Sequence, residues 1–354
     1  MFSKLLTPIA LIMLVLAACG GPVASEAPPD SSPTAPVLAE PTETPEPDTV
    51  VLALNPQFSN APFFIAMEEG YFVEQNIEIV IEDISRSSEA LVLVSSGDLD
   101  VVSGAINTAL INLLASDPNV RVVTNKGYSP EDGCPAPGLF IRRDLYESGV
   151  LDSAEMVRGL TLVGRVSSFT GFIYETWLRN EYGLDLEDVA LEDLPQDALI
   201  DALANGAIDI GTSTEPFLSH IQDSGHAVVF KSYGQLLPDM EYSYVIFGRK
   251  LTVEDRDLGN RFMVAYLKAV RQLYTEGKSD HNIDILTAAT GLDRELVARM
   301  CWLDVNPTGD INFVTVLALQ EWALARGDIE RILTEEEYMD SSFVDYANQV
   351  LGPP

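Results

Sequence analysis

The sequence predicts an α/β protein whose folded part is divided into two lobes. The chain has 354 residues, of which 47% are hydrophobic, and this is enough for two units with cores of their own. Strand-like and helix-like segments alternate from residue 49 onward, and the alternation occurs twice along the chain. A βαβα order of this kind is typical of mostly parallel sheets that are flanked by helices.

A short internal similarity supports the division into two matched lobes. Residues 93–101 resemble residues 202–210, and in each copy a Gly ends a helix, a two-residue turn follows, and an Asp opens a strand. The paired positions are Gly97 with Gly206 and Asp100 with Asp209. The same order of residues also occurs in unrelated α/β units, which accounts for part of the match. Two lobes with a cleft between them are the architecture that this repeat favours.

The individual elements follow from short apolar runs and the Gly, Pro and Asn residues that end them. In the first unit we predict strands at Thr49–Leu54, Ile77–Ile81, Val101–Val102 and Val120–Thr124, and helices at Ala61–Gly70, Glu89–Ser96 and Thr108–Ala115. In the second unit we predict strands at Leu160–Val166, Val189–Leu194, Ile208–Gly211 and Ala227–Lys231, and helices at Gly171–Tyr182, Ala198–Ala204 and Pro216–Gln222. Beyond Tyr242–Phe247 the pattern becomes helical, at Leu258–Glu276, Asn282–Ala289, Arg294–Met300 and Phe313–Ala325.

The amino terminus has the features of an export signal with a lipidation site. Lys4 precedes the apolar run Leu5–Ala18, which is shorter than the roughly 20 residues that a membrane-spanning helix needs. Cys19 follows two small residues, and this arrangement resembles the bacterial lipobox, whose cysteine takes a diacylglyceryl group. An ordinary cleaved signal with an incidental Cys19 is the alternative. We predict a signal peptide over residues 1–18 and a lipid anchor at Cys19, on the extracytoplasmic face of the cell membrane.

Residues 19–48 are predicted to form a flexible linker behind that anchor. The segment is rich in Pro, Ser, Thr, Ala and Glu, and it contains no aromatic residue and no hydrophobic periodicity. Such a composition buries too little apolar surface to offset the conformational entropy that folding costs.

Composition and motifs exclude several classes of function. The formal net charge of -33 does not fit a nucleic-acid-binding protein, which needs a basic surface. The three histidines do not occur at metal-ligand spacing, and no dinucleotide, phosphate-loop or nucleophile-elbow motif is present. We therefore expect no metal, no cofactor and no enzymatic activity. A surface-anchored hydrolase with paired carboxylates stays as the alternative from another class.

Two cysteines occur in the folded part, Cys134 and Cys301. An exported protein meets an oxidising compartment, so a disulfide between them is one expectation. Two separately buried thiols are the other, because the sequence does not show whether the cysteines meet.

Ligands of open α/β sheets bind beyond the carboxyl ends of the strands, so the loops that follow the predicted strands are the candidate contacts. Aromatic side chains in these loops can stack on a flat ring, and hydroxyl and amide groups can bind its edges. Arg86, Lys126 and Arg165 are the nearest basic residues for an anion. The predicted ligand-binding residues are Asn55, Phe58, Asn60, Pro62, Arg86, Ser103, Asn107, Tyr128, Ser168, Phe169, Thr170, Glu215 and Tyr242.

The segment Asn60–Ile79 also resembles a known family. It contains an apolar helix, the residues Glu69-Gly70-Tyr71-Phe72, and an extended strand. This order resembles the opening of the type II periplasmic binding proteins that serve nitrate, sulfonates, thiamine pyrimidines and riboflavin. Residues 96–100 resemble a second signature of that family, and Asn260–Leu273 resembles its first carboxyl-terminal helix. The resemblance covers residues 49 to 330 and does not identify the solute.

The resemblance implies a domain arrangement with two hinge crossings, near Phe140–Asp144 and Tyr244–Arg249. On this basis residues 49–142 form the first part of lobe 1 and residues 143–245 form lobe 2. Residues 246–354 return to lobe 1 and add the carboxyl-terminal helices to it.

The resemblance also implies a role in transport. A monomeric lipoprotein would capture a solute by hinge closure and deliver it to an ABC permease and its ATPase. The aromatic residues and Glu215 favour a flat heterocycle, with riboflavin first and a thiamine pyrimidine second. A sulfonate, nitrate or another small organic anion is the alternative, and a sensor or adhesion lipoprotein would bind a protein partner instead.

Overall fold

The computed structural model describes residues 46–84 and 87–354. The predicted lipidation site Cys19 and the predicted ligand residue Arg86 lie outside these ranges. The strands are β1 Asp48–Ala53, β2 Ile77–Glu82, β3 Val101–Ala105, β4 Arg121–Asn125, β5 Tyr128–Ser129, β6 Gly138–Arg142, β7 Thr161–Val163, β8 Ala190–Glu192, β9 Ile210–Ser213, β10 Ala227–Ser232, β11 Met240–Glu241 and β12 Ser243–Phe247.

Helices connect and cover these strands. The α-helices are α1 Ala61–Glu68, α2 Tyr71–Glu74, α3 Ser87–Ser96, α4 Thr108–Ser116, α5 Arg143–Glu147, α6 Ala154–Val157, α7 Phe169–Tyr182, α8 Leu199–Ala204, α9 Phe217–Asp223, α10 Arg256–Glu276, α11 Asp280–Thr290, α12 Arg294–Arg299, α13 Phe313–Arg326, α14 Glu335–Tyr338 and α15 Ser342–Leu351. Short 3-10 helices occupy Phe58–Asn60, Val150–Asp152, Leu186–Asp188 and Gln196–Ala198, and a π-helical turn occupies Lys250–Glu254.

Two five-stranded sheets with the same topology form the two lobes, which confirms the predicted fold class. The first sheet has the order β2-β1-β3-β12-β4, and the second has the equivalent order β8-β7-β9-β6-β10. In each sheet three strands are parallel. The fourth strand, β12 or β6, runs antiparallel to these three, and the fifth, β4 or β10, is antiparallel to the fourth and so runs in the same direction as the first three.

The Gly-x-x-Asp repeat has the same structural role in both lobes. Asp100 accepts a hydrogen bond from the backbone N–H of Val51 at 2.9 Å, and its carboxylate pairs with Lys250 at 2.9 Å. Asp209 accepts from the backbone N–H of Thr161 at 2.9 Å and pairs with Arg142 at 3.0 Å. Each Asp therefore joins the backbone of a parallel strand, β1 or β7, to a basic residue at or just beyond the end of the antiparallel strand of the same sheet, β12 or β6.

The chain crosses between the lobes at different residues from those that the family resemblance implies. β6 already belongs to the second sheet and β12 already belongs to the first, so the crossings are residues 126–137 and 233–242. Between the sheets, β5 and β11 form a separate two-stranded antiparallel ladder. Phe140–Asp144 and Tyr244–Arg249 instead lie in or just after strands. The apolar runs of β6 and β12 predict strands, but they do not show which sheet each strand joins.

The carboxyl-terminal helices do not all pack on the first lobe. α10 and α15 pack together there, beneath the first sheet, as expected. α13 instead contacts α4 of the first lobe and α7 of the second. Its Trp322 Nε1 donates to Glu175 Oε2 of α7 at 2.9 Å, and Arg326 binds the same oxygen at 3.1 Å. An amphipathic pattern predicts that a helix buries one face without showing what covers it.

A disulfide joins Cys134, in the first crossing, to Cys301, in the loop after α12. The Cα atoms of the two cysteines are 5.7 Å apart, within the usual range for a disulfide. The bond therefore ties the crossing to the carboxyl-terminal part of the chain.

Among the described helices, none combines the length and the apolar character that crossing a bilayer requires.

Candidate functional site

A cleft of about 290 Å³ lies between the two sheets, where their parallel strands end. The first lobe lines it mainly with small polar side chains from the loop after β1 and from the end of β3, and the second lobe does so from the start of α7 and the end of β9. The polar and aromatic lining residues are Asn55, Gln57, Ser59, Ser103, Lys126, Phe169, Thr170, Gln196, Thr212, Ser213, Thr214, Tyr233, Tyr242 and Ser243. This volume is close to the lower end of the range for small-molecule sites.

Lys126 is the charged side chain in the wall of this cleft. It follows β4 directly and is only 5% exposed. Its Nζ donates to Asn60 Oδ1 at 2.8 Å and to Ser103 Oγ at 2.7 Å. Asn60 is held in turn by its own side-chain amide, which donates to the carbonyl oxygen of Asn55 at 2.9 Å. Asn55, Asn60 and Ser103, three of the residues predicted from sequence, are thus brought together around Lys126.

The environment of Lys126 is polar but uncharged. Among residues 46–84 and 87–354, no carboxylate forms an ion pair with its amine. Burial lowers the pKa of Lys126 from 10.5 to about 7, because the charged ammonium loses its hydration. Two of the three N–H bonds of the ammonium form are used by Asn60 and Ser103. The third has no hydrogen-bond partner among the described residues, so it is available to a bound group.

Further donors lie beside this amine. Ser243 lines the cleft, and within the described part of the chain its buried hydroxyl has no hydrogen-bond partner. Phe169 and Thr170 are the first residues of α7, whose first-turn N–H groups have no partners inside the helix. The amino-terminal end of a helix favours negative charge. The cleft thus offers several donors to an anionic or acceptor group.

Three aromatic rings form the other chemical feature of the cleft. The centroid of Phe169 lies 5.8 Å from that of Tyr233 and 6.1 Å from that of Tyr242. The two tyrosine rings are perpendicular, with centroids 5.9 Å apart. The Tyr233 hydroxyl lies 2.7 Å from Thr212 Oγ1, and burial raises the pKa of Tyr233 to about 12, so this hydroxyl stays protonated. This aromatic cluster provides an apolar surface within the same cleft as Lys126.

Three predicted ligand residues lie behind the cleft wall. Phe58, Pro62 and Glu215 line a separate cavity of about 30 Å³, which shares Lys126 and Tyr242 with the main cleft. That volume suits about one water molecule. Glu215 is occupied by structural contacts: it accepts from the backbone and hydroxyl of Ser219 and from the backbone N–H of Cys301, each at 3.0 Å.

Other predicted residues have structural surroundings outside the cleft. Asn107 caps α4 by accepting from the backbone N–H of Leu110 at 2.9 Å. Ser168 caps α7 through the backbone N–H of Gly171 at 3.2 Å. Tyr128 lies in β5 and faces pockets on the outer side of the crossings. Hydroxyl and amide residues that follow a strand can be helix caps as well as ligand contacts, and the sequence does not distinguish the two roles.

Several cleft residues were absent from the sequence-based set. Gln57, Ser59, Gln196, Ser213, Thr214 and Lys126 belong to loops that follow predicted strands, so the topological argument pointed to their neighbourhood. Lys126 was considered only as a nearby basic residue. Arg165, the other described basic candidate, pairs with Asp193 at 2.9 Å and is largely exposed. Burial without a carboxylate partner is what distinguishes Lys126, and this is a property of the fold.

No group of three or more metal-ligating side chains occurs within the described ranges. No family model matches the chain, and no curated protein matches it.

Solved structures do match most of its length. A ligand-binding component of an ABC-type import system from Staphylococcus aureus has a TM-score of 0.68 at 12% identity, covering 85% of this chain and 99% of that one. The periplasmic nitrate-binding protein of Synechocystis PCC 6803 has a TM-score of 0.66 at 12% identity, covering 88% and 91%.

The periplasmic aliphatic sulphonate binding protein of Escherichia coli has a TM-score of 0.65 at 14% identity, covering 84% of this chain and 92% of that one. A desulfurization enzyme also matches, with a TM-score of 0.58 at 14% identity and coverage of 86% and 99%. At these identities the likeness concerns the fold. The chain therefore has the two-lobed α/β fold found in the periplasmic solute-binding proteins of ABC importers.

Proposed function

We propose that this protein is the solute-binding component of an ABC importer and that its solute is a small organic anion. The observation that carries the proposal is Lys126, a buried amine in the cleft wall that has no carboxylate partner in the part of the chain that the structure describes. The binding proteins of this fold include those for nitrate and for sulfonates. Of the two solute classes considered from the sequence, a heterocyclic vitamin and a small organic anion, the anion is therefore the one that the geometry supports better.

The energetics of the cleft support an anionic group. A buried ammonium without an opposite charge is costly, and the lowered pKa of Lys126 reflects this cost. An anion in the cleft would pair with the ammonium and supply the missing partner. Ser243 and the first turn of α7 would donate further hydrogen bonds to it. A neutral solute would leave the ammonium uncompensated.

The aromatic cluster supports a ring or another apolar group on the same solute. Phe169, Tyr233 and Tyr242 lie in the cleft with Lys126, so an anion that carries a flat ring would contact both features. A heterocyclic vitamin, with riboflavin first and a thiamine pyrimidine second, remains the second candidate on the strength of these rings. The cleft volume of about 290 Å³ favours the smaller solutes.

The wider proposal follows the domain order of the chain. Cys19 would carry the lipid, residues 19–48 would serve as the tether, and the two lobes would present the solute to a permease and its ATPase. No chemical step is part of this proposal. A desulfurization enzyme has the same fold, so the alternative that this protein is a hydrolase needs a test of its own. Analysis of reaction products decides between binding and hydrolysis. Incubation with a bound solute should return that solute unchanged.

Titration calorimetry of the full-length protein in detergent at pH 6.5 tests the proposal. Benzenesulfonate, nitrate and riboflavin serve as probes of the candidate classes. We expect benzenesulfonate to bind, and Lys126→Met to weaken it at least about 30-fold, since removing one partner of a buried charge pair costs about 2 kcal/mol or more.

Lys268→Met is the matched control, because Lys268 pairs with Glu74 on the surface of α10, outside the cleft. This variant should bind like the wild type. Equal affinity of Lys126→Met and the wild type for benzenesulfonate would refute the assignment. Binding of riboflavin alone would favour the vitamin candidate instead.

A further inference from the structure

Glu241 lies in β11, within the second crossing, and is buried between the lobes. It is 3% exposed. Its Oε1 accepts from Asn125 Nδ2 at 2.9 Å and from the backbone N–H of Asn312 at 3.1 Å. Its Oε2 has no hydrogen-bond partner within residues 46–84 and 87–354. The carboxyl group thus joins the end of β4 to the residue that caps α13.

Asn125 controls the turn that carries Lys126. Its Oδ1 accepts from the backbone N–H of Gly127 at 2.9 Å, and its Nδ2 donates both to Glu241 and, at 2.7 Å, to the carbonyl oxygen of Asp310. All the hydrogen bonds of this amide group therefore hold residues 125–127 in place. Gly127 has a φ of +133° and a Cβ there would meet the carbonyl oxygen of Asp304 at 2.8 Å, so the turn has little freedom.

Among the residues that the structure describes, no basic group near Glu241 stabilises an ionised carboxylate. Asp239 precedes it in the second crossing, and Asp310 lies in the loop before α13. The hydroxyls of Tyr244, in β12, and Tyr338, in α14, also face this region, and Tyr128 is its partner in the β5–β11 ladder. Burial raises the pKa of Glu241 from 4.5 to about 8 and outweighs the Asn312 N–H and the nearby Tyr244 hydroxyl, which lower this pKa, while both aspartates add to the increase.

We propose that Glu241 is a positioning residue that keeps its proton at neutral pH and, through Asn125, holds Lys126 in the cleft. Its expected effect on ligand binding rests on the proposed function, in which Lys126 binds an anion. A neutral carboxyl accepts from Asn125 and Asn312 without placing a charge in the crossing. An ionised carboxyl would bring a third negative charge beside Asp239 and Asp310, and burying that charge in the crossing would cost stability.

Two ligand-free measurements test this directly. The first is hydrogen exchange of the full-length protein at pH 7, followed in a peptide that covers residues 125–128. We expect faster exchange in Glu241→Ala and near wild-type exchange in Glu241→Gln, which keeps the shape and the acceptor oxygen. Asn282→Ala removes a fully buried amide on α11 that forms no hydrogen bond with Glu241 or with residues 125–128, and it should leave this peptide unchanged. Unchanged exchange in Glu241→Ala would overturn the positioning role.

The second measurement is the free energy of unfolding as a function of pH. A carboxyl with a raised native pKa binds its proton more tightly in the folded than in the unfolded state. The wild type should therefore lose stability relative to Glu241→Gln as the pH rises from 5 to 8, and the difference should level off above 8. Parallel curves would show that Glu241 is ionised and would overturn the proposal. This comparison needs only the Gln variant, so it does not depend on whether Glu241→Ala folds.

Benzenesulfonate binding at pH 7 tests whether the role of Glu241 in the turn extends to ligand binding by Lys126. We expect Glu241→Ala to weaken binding about tenfold or more and Glu241→Gln to restore it, since only the former leaves one of the two N–H groups of the Asn125 amide without its acceptor. Weak binding in both variants would overturn the role of the neutral carboxyl. If neither the wild type nor any variant binds a small anion, the proposed function fails, while the exchange and stability measurements still decide the case of Glu241.

Discussion

At the scale of single residues, the cleft depends on how Lys126 is buried. The sequence places this lysine and Arg86 after predicted strands and Arg165 within one, and all three are basic candidates for an anion there. In the fold, Arg165 is exposed and paired with Asp193, whereas Lys126 is buried and bonded only to uncharged groups. Arg165 thus has a carboxylate partner, whereas Lys126 has none among the described residues. An anionic solute would provide Lys126 with an opposite charge.

Binding of an anion should weaken as the pH rises above about 7. The free protein loses the proton of Lys126 near that pH, and only the ammonium form pairs with an anion. Each pH unit above the pKa of the free lysine therefore lowers the affinity by up to about tenfold, until the pKa of the complex is reached. Benzenesulfonate stays ionised throughout, so titration calorimetry from pH 6 to 9 reports on the protein.

The matched variant is Lys126→Arg, which stays charged over this range. Its affinity, whatever its absolute value, should vary less between pH 7 and pH 8 than that of the wild type. A wild-type affinity that is constant from pH 6 to 9 would contradict a lysine-centred anion site.

At the scale of elements, α13 shows where sequence reasoning stops. The prediction of a helix at Phe313–Ala325 agrees closely with the observed Phe313–Arg326. Its partner was not predictable, because the residue that anchors it, Glu175, lies in α7 of the other lobe. Glu175 is 1% exposed. It accepts a hydrogen bond from Trp322 and forms ion pairs with Arg326 and Arg179. Polar residues in the middle of a helix give no sequence signal that they will be buried against another helix.

Replacing Glu175 by Ala should destabilise the protein strongly. The change leaves Trp322 Nε1 and the Arg326 guanidinium without their shared acceptor, and removing one partner of a buried charge pair costs about 3 kcal/mol or more. Urea unfolding at pH 7 measures the effect. Glu187→Ala is the control, since this exposed carboxylate lies 3.9 Å from Arg326 and should change the stability by less than about 0.5 kcal/mol. Equal effects of the two changes would contradict the anchoring role of Glu175.

At the scale of the whole molecule, the two-lobed architecture could be predicted, because alternation and the Gly-x-x-Asp repeat are local patterns. Asp100 and Asp209 have the same partners in the two lobes for that reason. The crossings were placed too late, since β6 and β12 each join the sheet that the chain has just entered. The cleft was predictable as a set of loops. Which side chains face it depends on packing between lobes, and Asn107 and Ser168 became caps instead.

The central claim is that the cleft between the lobes holds a small organic anion on Lys126. Native mass spectrometry of the full-length protein, purified from its own source, tests it most directly. We expect a bound molecule with an acidic group in the wild type. This molecule should be lost from Lys126→Met but not from Lys268→Met. A bound molecule without an acidic group, or one that Lys126→Met retains as fully as the wild type, would contradict the account.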